Sequence, residues 1–279
     1  MTQAARAATL RPAGEFTDAP LVVNVPEDPA VRVAFTGRTL AGVDGDANVS
    51  LLVGEGDVAR ARRAALGLVG ADPAQSVFMQ QVHGAAVATV GAADVGSGAT
   101  DPATAIAGVD ALVTTAARAA LAVLVADCVP VVLVDPGRAV GVVHAGRGGV
   151  VANVVSAAVR ALAEDAGRVV AMIGPAVGGC CYEVPAAMAA NVTATHPMAA
   201  ATTTWGTRSL DLRAAVAEQL RTAGVARIQD VGSCTRCTPG TWFSHRAATA
   251  GVGPHGRQAG IVVRESPHEV PIRPFIESL

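Results

Sequence analysis

Leu121-Ala122-Val123-Leu124-Val125-Ala126-Asp127-Cys128-Val129-Pro130-Val131-Val132-Leu133-Val134 holds two near-continuous apolar runs, 121–125 and 131–134, around a short interruption. Apolar runs of this length without alternation are expected of strands covered on both faces. The interruption sets an acid, Asp127, and a thiol, Cys128, between two such strands.

Outward from this stretch, strand and helix signals alternate. Residues 31–35 read as a strand, and Asp57 caps a helix running to roughly Leu66. Residues 77–82 read as extended and deliver His83 just before Gly84. A strand over 139–143 ends in His144, and a Gly-rich turn leads into a helix. Its apolar Val150, Val151, Val154, Val155, Ala158, Val159 and Leu162 mark one buried face. A strand over 169–173 precedes the turn at 174–179 and the pair Cys180-Cys181. An amphipathic helix runs from about Leu212 to Leu220 behind the cap Asp211, and a strand over 259–264 precedes an irregular tail with three prolines. No repeat or low-complexity linker interrupts this order. The expected class is α/β (α+β), with a flexible segment over 1–20 and a single globular domain over 21–279.

The chain has 279 residues and is 51% hydrophobic, enough for a sizeable core. Its net charge of -2 lacks the basic field that drives nonspecific nucleic-acid binding, so nucleic acid is not an expected partner. All 21 basic residues are Arg, and without Lys no Schiff-base chemistry is available. No secretory signal or bilayer-spanning run is read, which places the protein in the cytoplasm, away from membranes. Five Cys, an odd number, fit reduced thiols better than a disulfide framework.

Chemistry concentrates in Gln81-Val82-His83-Gly84, Ala126-Asp127-Cys128 and Val143-His144-Ala145-Gly146. Each supplies one soft or borderline metal ligand from a strand end or a connection between strands. Taken singly, each side chain also suits a hydrogen-bonded or packed role. Together His83, Cys128 and His144 can hold a zinc ion with one position open, since ligands scattered along the chain typify catalytic sites.

These residues resemble the laccase-domain, or YfiH-like, family, described as multifunctional purine nucleoside phosphorylases and earlier as polyphenol oxidases. The likeness runs from Arg38 and Asn48-Val49-Ser50-Leu51 through Gly174-Pro175, Cys181-Tyr182-Glu183-Val184, Cys234-Thr235 and Phe243-Ser244-His245-Arg246 to Gly256-Arg257-Gln258-Ala259-Gly260. It implies a four-layer α-β-β-α sandwich with zinc on the His-Cys-His set. The implied substrates are purine nucleosides (adenosine, inosine, methylthioadenosine) and phosphate, with adenosine deamination as a companion activity. Some relatives are instead described as peptidoglycan editing factors acting on muropeptide precursors.

Asp127 either orients a ligand or accepts a proton, or is a turn carboxylate bonded to backbone N–H groups. Arg147 lies in the Gly-rich turn 146–149 that precedes a helix and can complete a phosphate site at that helix N-terminus, or belongs to a plain Gly-rich connection. It stands where the family commonly has Trp, and Gly148 where it commonly has Arg. Arg38, Asn48 and Gln81 resemble substrate-pocket positions, with Arg38 ranked above Arg246 and Arg257. His245 is a framework residue or spare ligand. Cys180-Cys181 reads as packing, and Cys234-x-x-Cys237 lacks a second pair that would make a metal site. His196, His255 and His268 read as structural.

Three function classes stand open. The first is a zinc enzyme acting on purine nucleosides. The second is a metal-free hydrolase with Cys128 as nucleophile and His144 or His83 as base. The third is a nonenzymatic partner protein. Six His are too few for the several coppers of a true laccase, although imidazole and thiolate bind Cu2+ in vitro, so a copper polyphenol oxidase is a further, incidental alternative. The oligomeric state stays open.

Overall fold

The computed structural model describes residues 19–265. The N-terminal segment and the proline-bearing tail expected from sequence, with His268, lie mostly or wholly outside the described residues. The elements run in chain order β1 (Leu21–Asn24), β2 (Val31–Phe35), α1 (Val58–Gly67), β3 (Ser76–Val77), β4 (Val87–Val90), β5 (Ala111–Thr114) and β6 (Ala120–Val125). They continue with β7 (Val129–Asp135), β8 (Ala139–Ala145), α2 (Arg147–Val151), α3 (Val154–Leu162), β9 (Val170–Ile173) and α4 (Ala186–Thr195). The last are β10 (Ala200–Thr202), β11 (Arg208–Leu210), α5 (Leu212–Thr222), β12 (Arg227–Asp230), α6 (His245–Thr249) and β13 (Gln258–Arg264).

Two mixed sheets carry the fold, in the orders β1-β2-β13-β6-β3 and β12-β9-β7-β8-β5-β4, with a small β10-β11 ribbon beside them. Alternation along single strands shows how they stack. From β6, Leu121, Val123 and Val125 join Val132 and Val134 of β7 and Val140 and Val142 of β8 in a core between the sheets. The opposite face of β6, Ala120 and Ala122, packs with Ala61, Ala65 and Leu66 of α1. Val129, Val131 and Leu133 of β7 turn the other way, onto Val155, Ala158 and Val159 of α3 and Val216 and Leu220 of α5. The result is the α-β-β-α order of layers. Strands inside such a stack have no solvent face, which explains their apolar runs although β7 and β8 pair antiparallel.

The expected caps are present. Asp57 accepts a hydrogen bond from the Arg60 amide at 3.0 Å, and Asp211 from the Ala214 amide at 3.0 Å. The single helix expected over 150–162 is corrected to two, α2 and α3. Asn153 between them takes a left-handed φ of 61°, and Val151 is left exposed instead of joining the buried face.

Candidate functional site

The antiparallel register of β7 and β8 pairs Pro130 with His144, so Cys128, just before β7, and His144 project from neighbouring strands. By alternation both continue the face that packs between the sheets, and Cys128 touches that core. His83 arrives from the connection between β3 and β4. The His83 and His144 rings meet edge to face with centroids 4.7 Å apart, and His83 Nε2 lies 3.8 Å from Cys128 Sγ.

One residue that the sequence reading missed organises this meeting. Asp110, fully buried at the start of β5, lies with Oδ1 2.7 Å from His144 Nδ1. It also accepts from the amides of His83 at 2.9 Å and Gly84 at 2.6 Å. The carboxylate thereby assigns the Nδ1 proton of His144, aims Nε2 at the thiol and fixes the loop bearing His83. Its only sequence signal is a lone acid opening an apolar strand. Burial pushes its pKa up, but the His144 bond and the two amides outweigh that and hold it below the usual carboxylate range.

Burial likewise opposes the thiolate of Cys128, yet hydrogen bonds from His144 and His83 bring its pKa down to about 6. Burial disfavours imidazolium at His144, but Asp110 and Cys128 raise its pKa to about 9. A thiolate beside imidazoles with a buried carboxylate behind them is a donor set suited to zinc. The backbone is shaped for it too. His83 and Asp127 adopt φ of 61° and 81°, left-handed conformations costing about 1–3 kcal/mol each that commonly cluster at functional sites. A Cβ on Gly146 would come within 2.6 Å of the His83 ring and 3.1 Å of Cys128 Sγ.

His83, Cys128 and His144, which could together hold a metal ion, lie where two cavities adjoin. The larger, about 780 Å³, is lined by His83, Cys128, Asp127, Arg147, Tyr182, Glu183, Trp205, Arg236, His245 and Arg246. The second, about 610 Å³, shares His83, Cys128 and His245 and adds Gln81, His144 and Arg257. The Arg246 guanidinium stacks on the Tyr182 ring at 4.4 Å. Exposed Trp205 donates its indole N–H to Glu183 Oε2 at 2.9 Å.

The remaining residues singled out from sequence fall in varied places. Arg147 faces the larger cavity. Gln81 borders the second, with its amide closing a two-way bond to the backbone of Leu124 at 2.7 and 2.9 Å. Asp127 lines the larger cavity with both oxygens engaged, by Thr235 Oγ1 at 2.6 Å and the Arg246 amide at 2.7 Å. Arg38 and Asn48 line neither cavity. Arg38 is bound to Asp46 at 2.7 Å and to the Pro239 carbonyl. Buried Asn48 ties its own loop to the Arg257 amide at 3.0 Å. Tyr182 stood in a family motif without a role, and Trp205 and Arg236 were not singled out, because nothing local to them signals that their loops converge.

The profile of the family described as multi-copper polyphenol oxidoreductase laccase matches residues 33–265. The chain belongs to this laccase-like, YfiH-type family. Among its relatives, a Streptomyces coelicolor protein named purine nucleoside phosphorylase is 47% identical over 211 residues, 74% of this chain and 82% of that protein. A protein of the same name from Streptomyces griseus is 42% identical over 84% of this chain and 94% of its own length. The crystal structure of YlmD from Geobacillus stearothermophilus superposes with a TM-score of 0.77 at 31% identity, covering 88% of this chain and 96% of that one. Members of this family named as enzymes thus share both the fold and most of the length, and among the described residues no helix is long and apolar enough to cross a membrane.

Proposed function

We propose that this chain is a zinc-dependent purine nucleoside phosphorylase, converting adenosine, inosine and methylthioadenosine with phosphate into free base and a ribose 1-phosphate, with adenosine deamination as a companion activity. The observation that carries the reading is the position of His83, Cys128 and His144 at the junction of two cavities, the larger of which, reached by His83 and Cys128, is also walled by Arg147, Arg236 and Arg246 beside Tyr182 and Trp205. Zinc on these three ligands would supply Lewis acidity with one coordination position open.

The chain's own groups account for the rest. Arg147 and Arg236 neutralise and orient phosphate, whose oxygen attacks the anomeric carbon as the bond to the base nitrogen breaks, while Arg246 fixes the Tyr182 wall. The exposed indole of Trp205, its N–H already held by Glu183, offers a stacking face for the base. His245 borders both cavities and would supply the proton to the departing base. Asp127, saturated by Thr235 and Arg246, positions Cys128 and α6. Five thiols with no disulfide among the described residues fit the cytoplasm.

Metal analysis with a nucleoside panel tests this reading. The protein is expected to carry zinc at the triad and to release adenine from adenosine only with phosphate present, both lost in Cys128→Ala. A Cys128→Ala protein that keeps both the triad metal and full activity ends the proposal. Copper loaded in vitro on the same ligands would give at most an incidental oxidase activity.

A second reading has its own observation. Asp110 orients His144 against a Cys128 thiol of lowered pKa, an arrangement suited to a Cys-His hydrolase acting on amide bonds such as those of muropeptide precursors. Muropeptide cleavage that survives complete metal removal would favour it, because zinc on the thiolate suppresses its nucleophilicity.

A further inference from the structure

Cys180-Cys181 and Cys234-x-x-Cys237, which read separately in sequence as packing and as an incomplete motif, meet in space. The cause is the parallel pairing of β9 and β12, which sends the loops following both strands out at the same end of the sheet. A short parallel bridge between Ala176 and Cys234 extends that pairing into the loops. The Gly178 amide donates to Cys234 Sγ at 3.2 Å, and a Cβ at Gly178 would stand 3.2 Å from Cys180 Sγ.

Cys237 Sγ lies 3.6 Å from Cys180 Sγ and 3.4 Å from Cys181 Sγ, and all four sulfurs fall within 4.8 Å of one another. These separations are far beyond an S–S bond of about 2.05 Å. They agree with the edges of a sulfur tetrahedron, about 3.8 Å when Zn–S is about 2.3 Å. Four sulfurs this close repel one another as thiolates, and a divalent ion would supply the counter-charge that lets them ionise together. An amide N–H on one sulfur, as Gly178 provides, is the outer support such ligands commonly have.

We propose that Cys180, Cys181, Cys234 and Cys237 hold a second, structural metal ion of zinc's class, separate from the centre at His83, Cys128 and His144. Four protein ligands close the coordination shell, so this ion has no position for substrate. Its work is mechanical. Tyr182 and Glu183 directly follow Cys181, and Arg236 sits between Cys234 and Cys237, so the ion clamps together two loops that wall the larger cavity. Thr235, which holds Asp127, is fixed by the same clamp. Exposed Cys237 gives the ion its entry.

The test counts metal in the full chain purified without chelator. About two zinc ions per chain are expected for the unsubstituted protein and about one each for Cys237→Ser and Cys128→Ala. Cobalt substituted into Cys128→Ala should show the intense thiolate-to-metal absorption of a four-sulfur site, absent from Cys237→Ser. The Cys128→Ala arm reads this site whether or not the chain is a phosphorylase. If Cys237→Ser does not fold, iodoacetamide mapping on the unsubstituted protein decides: these four cysteines should be protected until a strong chelator strips the metal. Equal labelling before and after chelation, one zinc or fewer in the unsubstituted protein with none in Cys128→Ala, or recovery of the four as two disulfides would each overturn the proposal.

Discussion

Asp110 and His144 form a buried pair, Oδ1 to Nδ1 at 2.7 Å, and through it the strand β5 controls which nitrogen of the imidazole faces Cys128. The same carboxylate grips the amides of His83 and Gly84, so a single fully buried side chain sets two of the three proposed ligands. Asp110→Asn keeps the volume but sacrifices charge and acceptor capacity. Metal affinity, measured against a competing chelator, should fall by about 10- to 100-fold, as for other partners of metal-bound histidines. Unchanged affinity would show that His144 is positioned by packing alone.

The lowered pKa of Cys128 makes metal-free protein a sensitive reporter. Thiolate is the alkylating species, so labelling of Cys128 should rise with pH around a midpoint of about 6 and level off above it. In His144→Ala the midpoint should move up toward the ordinary thiol range, because the largest favourable interaction of the thiolate is gone. Saturating zinc should suppress labelling at every pH where metal binds. A Cys128 that labels equally fast with and without zinc would remove it from the ligand set.

Much of this arrangement is legible from the chain alone. The apolar runs of β6 and β7 announce strands without a solvent face, and Cys128 and His144 stand at the ends of such runs, where a sheet holds them rigidly, while the extended run expected over 77–82 keeps only its first residue in a strand and His83 lies on a connection held by Asp110. What stays hidden depends on pairings between distant segments. Asp110 matters through a register with β8, and Trp205 lies in a loop beyond α4. The clustering of the four cysteines follows from β9 and β12 being parallel neighbours, which no local spacing reveals. Arg38 and Asn48 err in the other direction: their side chains are spent on Asp46 and on the backbone at Arg257, which their residue types do not disclose.

Gly146 leaves room for the centre. Its neighbours in space, the His83 ring at 2.6 Å and Cys128 Sγ at 3.1 Å from where a Cβ would stand, cannot both retreat while keeping the ligand geometry. Gly146→Ala should therefore lose the triad metal while circular dichroism and thermal unfolding show a folded protein. Full retention of the metal would mean that His83 is free to swing aside and is not needed as a ligand.

The arginines divide the work of substrate binding from that of fixing the wall. Arg246 stacks on Tyr182 and its backbone amide holds Asp127, so its side chain fixes the ring, whereas Arg147 enters the cavity from the first turn of α2 and meets Tyr182 through a side-chain hydrogen bond alone. Charge-assisted hydrogen bonds contribute about 1.5–3 kcal/mol, so Arg147→Ala should raise the KM for phosphate by about 10- to 100-fold. Arg147→Lys should restore part of the loss, since the charge returns without the planar fork. The KM for nucleoside should move little in both variants, while Trp205→Ala should show the reverse pattern, about tenfold or more in nucleoside KM if stacking contributes as it does for other bases. Steady-state kinetics varying each substrate separately would read the split, and equal shifts in both KM values for Arg147→Ala would show that this side chain shapes the cavity instead of binding the anion.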